Sequence, residues 1–264
     1  MQTEPIYAIG DIHGQKAMLD RALALIAEDG GPDARIVFLG DYTDRGPDSK
    51  GVIETLIAGR DAAKPWSFVK GNHDKMFVDF VTKGSEHDRR VKSGISWINR
   101  RLGGVTTLAS YGIKGEPDFL HPSGGGLETL KSYAIGDRQL DRAKVSKLAR
   151  ELVPDSHIAF LDQLPLWIET NDLLFVHAGL RPGIALADQD PEDLIWIRDG
   201  FLTSTEDFGK LVVHGHTALD TPQHYGNRVN LDGGAGYGNT LHPAVFEGRE
   251  CWLLTPTGRQ PLQA

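Results

Sequence analysis

Five short apolar runs punctuate the chain: IYAIG (6–10), RIVFLG (35–40), WSFVKG (66–71), LLFVHAG (173–179) and KLVVHGH (210–216). Their length and their β-branched and aromatic content predict buried strands. Helical periodicity fills the gaps between the first three. Leu19, Leu23 and Ile26 share one face of a helix that Gly30, Gly31 and Pro32 bring to a stop. Val52, Ile53, Leu56 and Ile57 mark a second helix, with Asp48 or Ser49 as its N-cap. Phe77, Phe80 and Val81 mark a third. The first half therefore reads β-α-β-α-β-α, the pattern of a layered α/β fold.

Residues 82–150 break this rhythm. They hold SGISWINRRLGGVTTLASYG, the Gly-rich HPSGGG and a weak helical stretch at 137–152. We read them as an insertion or cap over one end of the core, inside a single domain spanning 1–264. Order resumes with a helix capped near Asp155 and stopped at Pro165, followed by an apolar strand. The tail from 211 to 256 is β-rich and broken by Gly and Pro.

Composition narrows the function classes. Hydrophobic residues make up 40% and charged residues 24%, ordinary values for a soluble globular chain. No run of about 18 apolar residues predicts a membrane span. The start, MQTEPIYAIGD, has no basic segment followed by an apolar one, so no secretory signal is expected. The single cysteine, Cys251, suits a reducing cytoplasm and reads as a small buried hydrophobe. The net charge of −8 and the lack of a Lys/Arg block argue against nucleic acid as a partner. A phosphoryl group can still bind such a chain if metal ions reverse the local charge.

Each predicted strand ends in groups that bind metals. In order they are GDIHG with Asp11 and His13, GDYTDRG with Asp41, Asp44 and Arg45, GNHD with Asn72, His73 and Asp74, VHAG with His177, and VHGHT with His214 and His216. Taken alone, DIH reads as a helix cap, GNHD more often as a capped turn than a metal site, and DRG as a turn with a surface ion pair. Repeated after five apolar runs, the pattern points to one site beyond the strand ends, where layered α/β folds bind ligands. An oxygen-and-imidazole donor set without thiolate suits a hydrolytic Mn, Fe or Zn site.

These motifs, in this order from residue 10 to 217, resemble the PPP-type serine/threonine phosphatases of the calcineurin-like metallophosphoesterase superfamily, in the short form of the bacterial branch. The resemblance implies a central β-sandwich of mixed sheets flanked by helices. It implies two divalent ions, manganese first and iron or zinc as alternatives. Asp11, His13 and Asp41 would hold one ion; Asp41 would bridge to a second, completed by Asn72, His177 and His216. It further implies in-line attack by a metal-bridging hydroxide on a phosphoserine or phosphothreonine monoester. Arg45, Arg198 and Asn72 would bind the phosphate, and His73 paired with Asp44 would protonate the leaving oxygen, the carboxylate favouring the imidazolium.

The chain departs from the eukaryotic phosphatases after the last metal histidine, where it reads NLDGGAGYGNTL. Substrate recognition by that loop is not carried over. His214 reads as structural, Asp232 as a turn residue, and His87, His121, His157, His224 and His242 as ordinary surface or core histidines. Trp97, Trp167 and Trp196 read as core or pocket wall. The expected partner is a phosphorylated protein or small phosphoester. Two rivals stand beside this reading. One is a symmetrical dinucleoside tetraphosphate hydrolase, which the presence of Asp44 disfavours; the other is a non-catalytic metal-binding interaction module.

Overall fold

The computed structural model describes residues 4–113 and 142–264. His121, the HPSGGG stretch and the start of the helical stretch at 137–152 lie outside the described residues. Among the described residues, two mixed sheets stack face to face. The first has the order β11-β10-β9-β1-β2-β3, built from β1 (Ile6–Ile9), β2 (Ile36–Phe38), β3 (Trp66–Phe68), β9 (Ala244–Glu247), β10 (Glu250–Thr255) and β11 (Gly258–Pro261). The second has the order β4-β5-β6-β8-β7, built from β4 (Trp167–Glu169), β5 (Leu173–Val176), β6 (Leu211–His214), β7 (Gln223–His224) and β8 (Arg228–Asn230).

Side-chain alternation divides each strand between two cores. Ile6, Ala8, Val37 and Leu39 meet Leu173, Phe175, Leu211 and Val213 between the sheets. Tyr7, Ile9, Ile36 and Phe38 point the other way, onto Leu19 and Ile26 of α1 (Lys16–Gly30) and Val52 and Leu56 of α2 (Ser49–Asp61). Leu174, Val176 and Val212 pack outward with Leu194 of α7 (Pro191–Trp196). The central strands are thus buried on both faces, which is why they read as continuous apolar runs.

β1, β2 and β3 run parallel, as do β5, β6 and β8. Parallel pairing brings their C-terminal ends to one edge of each sheet. Cross-sheet hydrogen bonds then join the two edges: His177 Nδ1 lies 2.8 Å from the Leu39 carbonyl, and the His216 N–H lies 3.1 Å from Asp11.

α3 (Asn72–Lys83) begins at Asn72, with Gly71 as N-cap, so Asn72, His73 and Asp74 of GNHD form its first turn. One local expectation is corrected. Trp167 is neither core nor pocket wall. It is 37% exposed on β4, which among the described residues pairs with β5 alone, at the sheet edge. Within 82–113 the chain forms α4 (Gly104–Ser110); α5 (Arg142–Leu152) and α6 (Asp155–Asp162) follow. No helix among the described residues is long and apolar enough to cross a membrane.

Candidate active site

The strand ends bring Asp11, His13, Asp41, Asn72, His177 and His216 into one cluster, all almost fully buried. The backbone is under strain here. Six non-glycine residues among those described have a left-handed φ, and five of them are His13 (47°), Asp41 (53°), Asp44 (75°), Arg45 (63°) and His216 (65°). Such conformations persist only where the surroundings enforce them. Asp74 is one enforcer. Its carboxylate accepts the backbone N–H groups of Asp41 (2.9 Å), Tyr42 (2.9 Å) and Gly71 (3.1 Å), clasping the second and third motifs together. Gly71 has no room for a side chain, since a Cβ would lie 2.2 Å from the Asp41 nitrogen.

The donor geometry fits a pair of cations. His177 Nδ1 faces the Leu39 carbonyl, which fixes its N–H there and leaves Nε2 as a lone pair. That Nε2 lies 3.0 Å from Asn72 Oδ1 and 3.4 Å from Asp41 Oδ1. Three acceptors facing one another need a cation between them. His13 repeats the device: Nδ1 lies 2.8 Å from the Thr43 carbonyl, and Nε2 lies 3.6 Å from Asp41 Oδ2 and 3.9 Å from Asp11 Oδ2. Two donor groups emerge, His13–Asp41–His73 and Asp41–His177–His216, and they share Asp41. His216 Nε2 is buried without a hydrogen-bond partner. Asp11 stands beside the first group, its Oδ2 3.9 Å from His13 Nε2, while both its oxygens accept the His216 N–H at 3.1 Å; His73, at the edge of that group, also faces Asp44.

Electrostatics agree with this fit. Burial pushes the Asp41 carboxyl up to about 7. Burial, with Asp232 and Asp41 alongside, pushes Asp11 well above the carboxylate range. Burial also pushes His177 down to about 4 and His13 and His216 well below the imidazole range. Neutral imidazoles are the form that binds metal, and a cation would relieve the crowded carboxylates.

His73 Nδ1 lies 2.6 Å from Asp44 Oδ2, and its Nε2 lies 3.1 Å from Arg45 Nη2. Arg45 Nη1 also contacts His13 Nε2. Burial, with Arg45 beside it, pushes His73 well below the imidazole range, and burial pushes its partner Asp44 up. With the Asp44 carboxyl on Nδ1 and the Arg45 donor on Nε2, the neutral ring suits a proton on the Asp44 side. Arg198 donates to the His216 carbonyl at 3.2 Å.

A cavity of about 600 Å³ opens from Asp41, Asn72, His73 and His216. Five cationic side chains line it: Arg45, Arg90, Lys92, Arg181 and Arg198. Arg90, Lys92 and Arg181 pair with Asp190, Asp193 or Asp199, whereas Arg45 and Arg198 form no carboxylate pair among the described residues. Trp196 lines the wall as expected, joined by Val91, Ser93 and Leu102 from the 82–113 stretch.

Sequence reasoning missed several contributors. Trp97, read as core or wall, donates to Asp44 Oδ2 at 2.7 Å, and Thr107 donates to Oδ1 at 2.7 Å. Asp232 does form a turn, accepting from the Gly234 N–H at 3.0 Å, yet it is buried beside Asp11. Tyr237 is 66% exposed, with its ring centroid 4.9 Å from the Arg45 guanidinium. An aromatic framed by glycines in GAGYGN was the available signal. His214 is buried against Phe201, as a structural histidine should be.

A two-sheet sandwich with this donor set at its strand ends, flanked by two arginines that form no carboxylate pair among the described residues, suits a metal-dependent phosphoester hydrolase. The chain belongs to the calcineurin-like phosphoesterase family, whose model matches residues 4–240. Membership and the convergence of His73, Asp44 and Arg45 set aside the non-catalytic module. Similar curated proteins include the asymmetrical bis(5'-nucleosyl)-tetraphosphatases PrpE of Anoxybacillus flavithermus and Geobacillus thermodenitrificans. They are 24% and 26% identical over 88% of this chain and 86% of each relative. Among solved structures, a putative diadenosine tetraphosphatase is 21% identical with a TM-score of 0.56, covering 99% of this chain and 95% of that one. A cold-active protein-tyrosine phosphatase of a Shewanella species is 16% identical with a TM-score of 0.59, covering 99% and 81%. These structures share the fold. The PrpE relatives do not carry the serine/threonine phosphatase name that the motifs led one to expect.

Proposed function

We propose that this chain hydrolyses a dinucleoside tetraphosphate or a close dinucleoside polyphosphate. The observation that carries the reading is the cavity of about 600 Å³ with five cationic side chains spread along its wall. One phosphate needs only Arg45 and Arg198. Arg90, Lys92 and Arg181 stand beyond them, each paired with Asp190, Asp193 or Asp199, and a polyphosphate chain would compete with those carboxylates for their donors. The names of the PrpE relatives support the same substrate class. They also favour an asymmetrical cut over the symmetrical one of the rival reading drawn from the sequence.

Asp11, His13 and Asp41 would hold one divalent ion, and Asp41, Asn72, His177 and His216 the other, with manganese the first candidate. Bound ions supply an activated water and charge for the phosphoryl oxygens. The side chains do the rest. Arg45 and Arg198 take the reacting phosphate in their planar forks and offset charge developing on its oxygens. Phosphate binding draws Arg45 off His73 Nε2, which frees that nitrogen to take a proton. His73, steadied through Nδ1 by Asp44, then donates to the leaving oxygen. The wall at 82–113, within one domain, selects what accompanies the phosphate.

A second reading is favoured by one observation, the 2.6 Å His73–Asp44 contact. A nucleotide phosphate leaves with little protonation, whereas the alkoxide of phosphoserine or phosphothreonine needs it. The test is turnover of the Mn-loaded protein on diadenosine tetraphosphate and on a phosphothreonine peptide, with product separation. We expect kcat/KM at least about tenfold higher for the dinucleotide, with AMP and ATP as products. A preference for the peptide overturns the proposal, and two molecules of ADP overturn the asymmetrical cut.

A further inference from the structure

Asp44 is held from outside the metal-binding strands. We propose that Trp97 and Thr107 are positioning residues: they aim the Asp44–His73 pair at the leaving-group oxygen, and they matter more as the leaving group becomes poorer. The proposal rests on the acid role given to His73 above, and not on the identity of the substrate.

Both oxygens of the buried Asp44 carboxylate are engaged. Oδ2 receives the indole N–H of Trp97 at 2.7 Å, beside His73 Nδ1 at 2.6 Å. Oδ1 receives the Thr107 hydroxyl at 2.7 Å. The Asp44 N–H in turn reaches Thr107 Oγ1 at 2.8 Å and Ser49 Oγ at 3.1 Å, which secures its left-handed backbone. A carboxylate fixed on two oxygens and its own amide has no freedom to turn, so the ring it holds has none either.

The indole also spans two elements. Trp97 is 1% exposed and packs on Phe77 (5.7 Å) and Phe80 (4.8 Å) of α3, the helix whose first turn carries His73. A Cβ on Gly104 would lie 2.5 Å from the indole, so the start of α4 presses the ring into place. Trp97 is therefore a strut from the helix bearing His73 to the carboxylate that orients it. Its N–H serves that carboxylate, which is more than core packing requires.

Trp97→Phe removes the donor and part of the indole's volume while keeping an aromatic ring against Phe77 and Phe80. Thr107→Val keeps the shape and removes the hydroxyl, a second route if the first variant folds poorly. Thermal melts report folding. Activity is read on an alkyl phosphate, which needs its leaving oxygen protonated, and on p-nitrophenyl phosphate, which does not. Each variant should lower kcat for the alkyl ester by about tenfold or more, hold KM, and lower kcat for the aryl ester by less than about threefold. In a His73→Asn background the same substitutions should have no further effect, because the group they aim is gone. Equal losses on both substrates, or a loss that persists without His73, would make the two residues merely structural and overturn the proposal. It also falls if His73→Asn spares the alkyl ester, since nothing is then being aimed. A failure to turn over dinucleotides would sink the substrate reading and leave this experiment intact.

Discussion

The clasp at Asp74 can be weighed directly. Asp74→Ala leaves the backbone N–H groups of Asp41, Tyr42 and Gly71 without their acceptor. Each unsatisfied buried donor costs about 1–3 kcal/mol. Water entering the space left by the carboxylate offsets part of this, so the loss should be about 3–5 kcal/mol. Asp74→Asn keeps one acceptor oxygen and the shape, but turns an NH₂ group toward an N–H, and should cost about 2 kcal/mol. For a chain of this size each kcal/mol moves Tm by about 2–4 °C, so the alanine variant should melt about 6–20 °C lower. The site should respond too. The clasp fixes the peptide of Asp41, and its loss should weaken metal binding about 10–100-fold, as for other groups that orient a ligand. The assay is urea unfolding of both variants with and without Mn²⁺, paired with a metal titration. If Asp74→Ala costs less than about 1 kcal/mol, the hydrogen-bond accounting for this turn is wrong.

Other residues give sharp expectations. His73→Asn should lower kcat on an alkyl phosphate by about 10²–10⁴-fold, checked by steady-state kinetics. Gly71→Ala forces a Cβ to 2.2 Å from Asp41, and should cost about 1–3 kcal/mol and weaken metal binding, read by melting and titration. Asp29 is held below the carboxylate range by its fork with Arg259 and by the Tyr7 hydroxyl at 2.7 Å. A lowered folded pKa adds stability above the unfolded value of about 4 and loses it as pH falls through the folded one. Asp29→Asn should therefore destabilise by about 1 kcal/mol at pH 7 and progressively less below about pH 4, as pH-series melts would show. Chelation should abolish turnover and lower Tm, and added Mn²⁺ should restore both.

How much of this was legible in the sequence follows from range. The strands and their terminal ligands are local signals, because a buried parallel strand is a continuous apolar run and its next residues face the site. The start of α3 was hidden because its first turn is polar Asn72, His73 and Asp74, and the apolar periodicity begins only at Met76 and Phe77. Trp97 and Thr107 reach Asp44 across 53 and 63 residues, a pairing no local pattern announces. Asp232 looked like a turn residue because it is one; its place beside Asp11 comes from β8 pairing with β6. Trp167 was expected in the core or a pocket wall, but β4 lies at a sheet edge and leaves it exposed. His73 was expected to be charged from its carboxylate partner alone, while its burial and the approach of Arg45 come from the fold.

The account turns on a shared Asp41 between two donor groups. Metal titration of the purified chain, followed by calorimetry and elemental analysis, tests this most directly. It should bind two Mn²⁺ ions per chain; His177→Ala should leave one, and Asp41→Asn should weaken both. A single ion in the parent chain, or an Asp41→Asn variant that still binds two ions unchanged, would contradict the account.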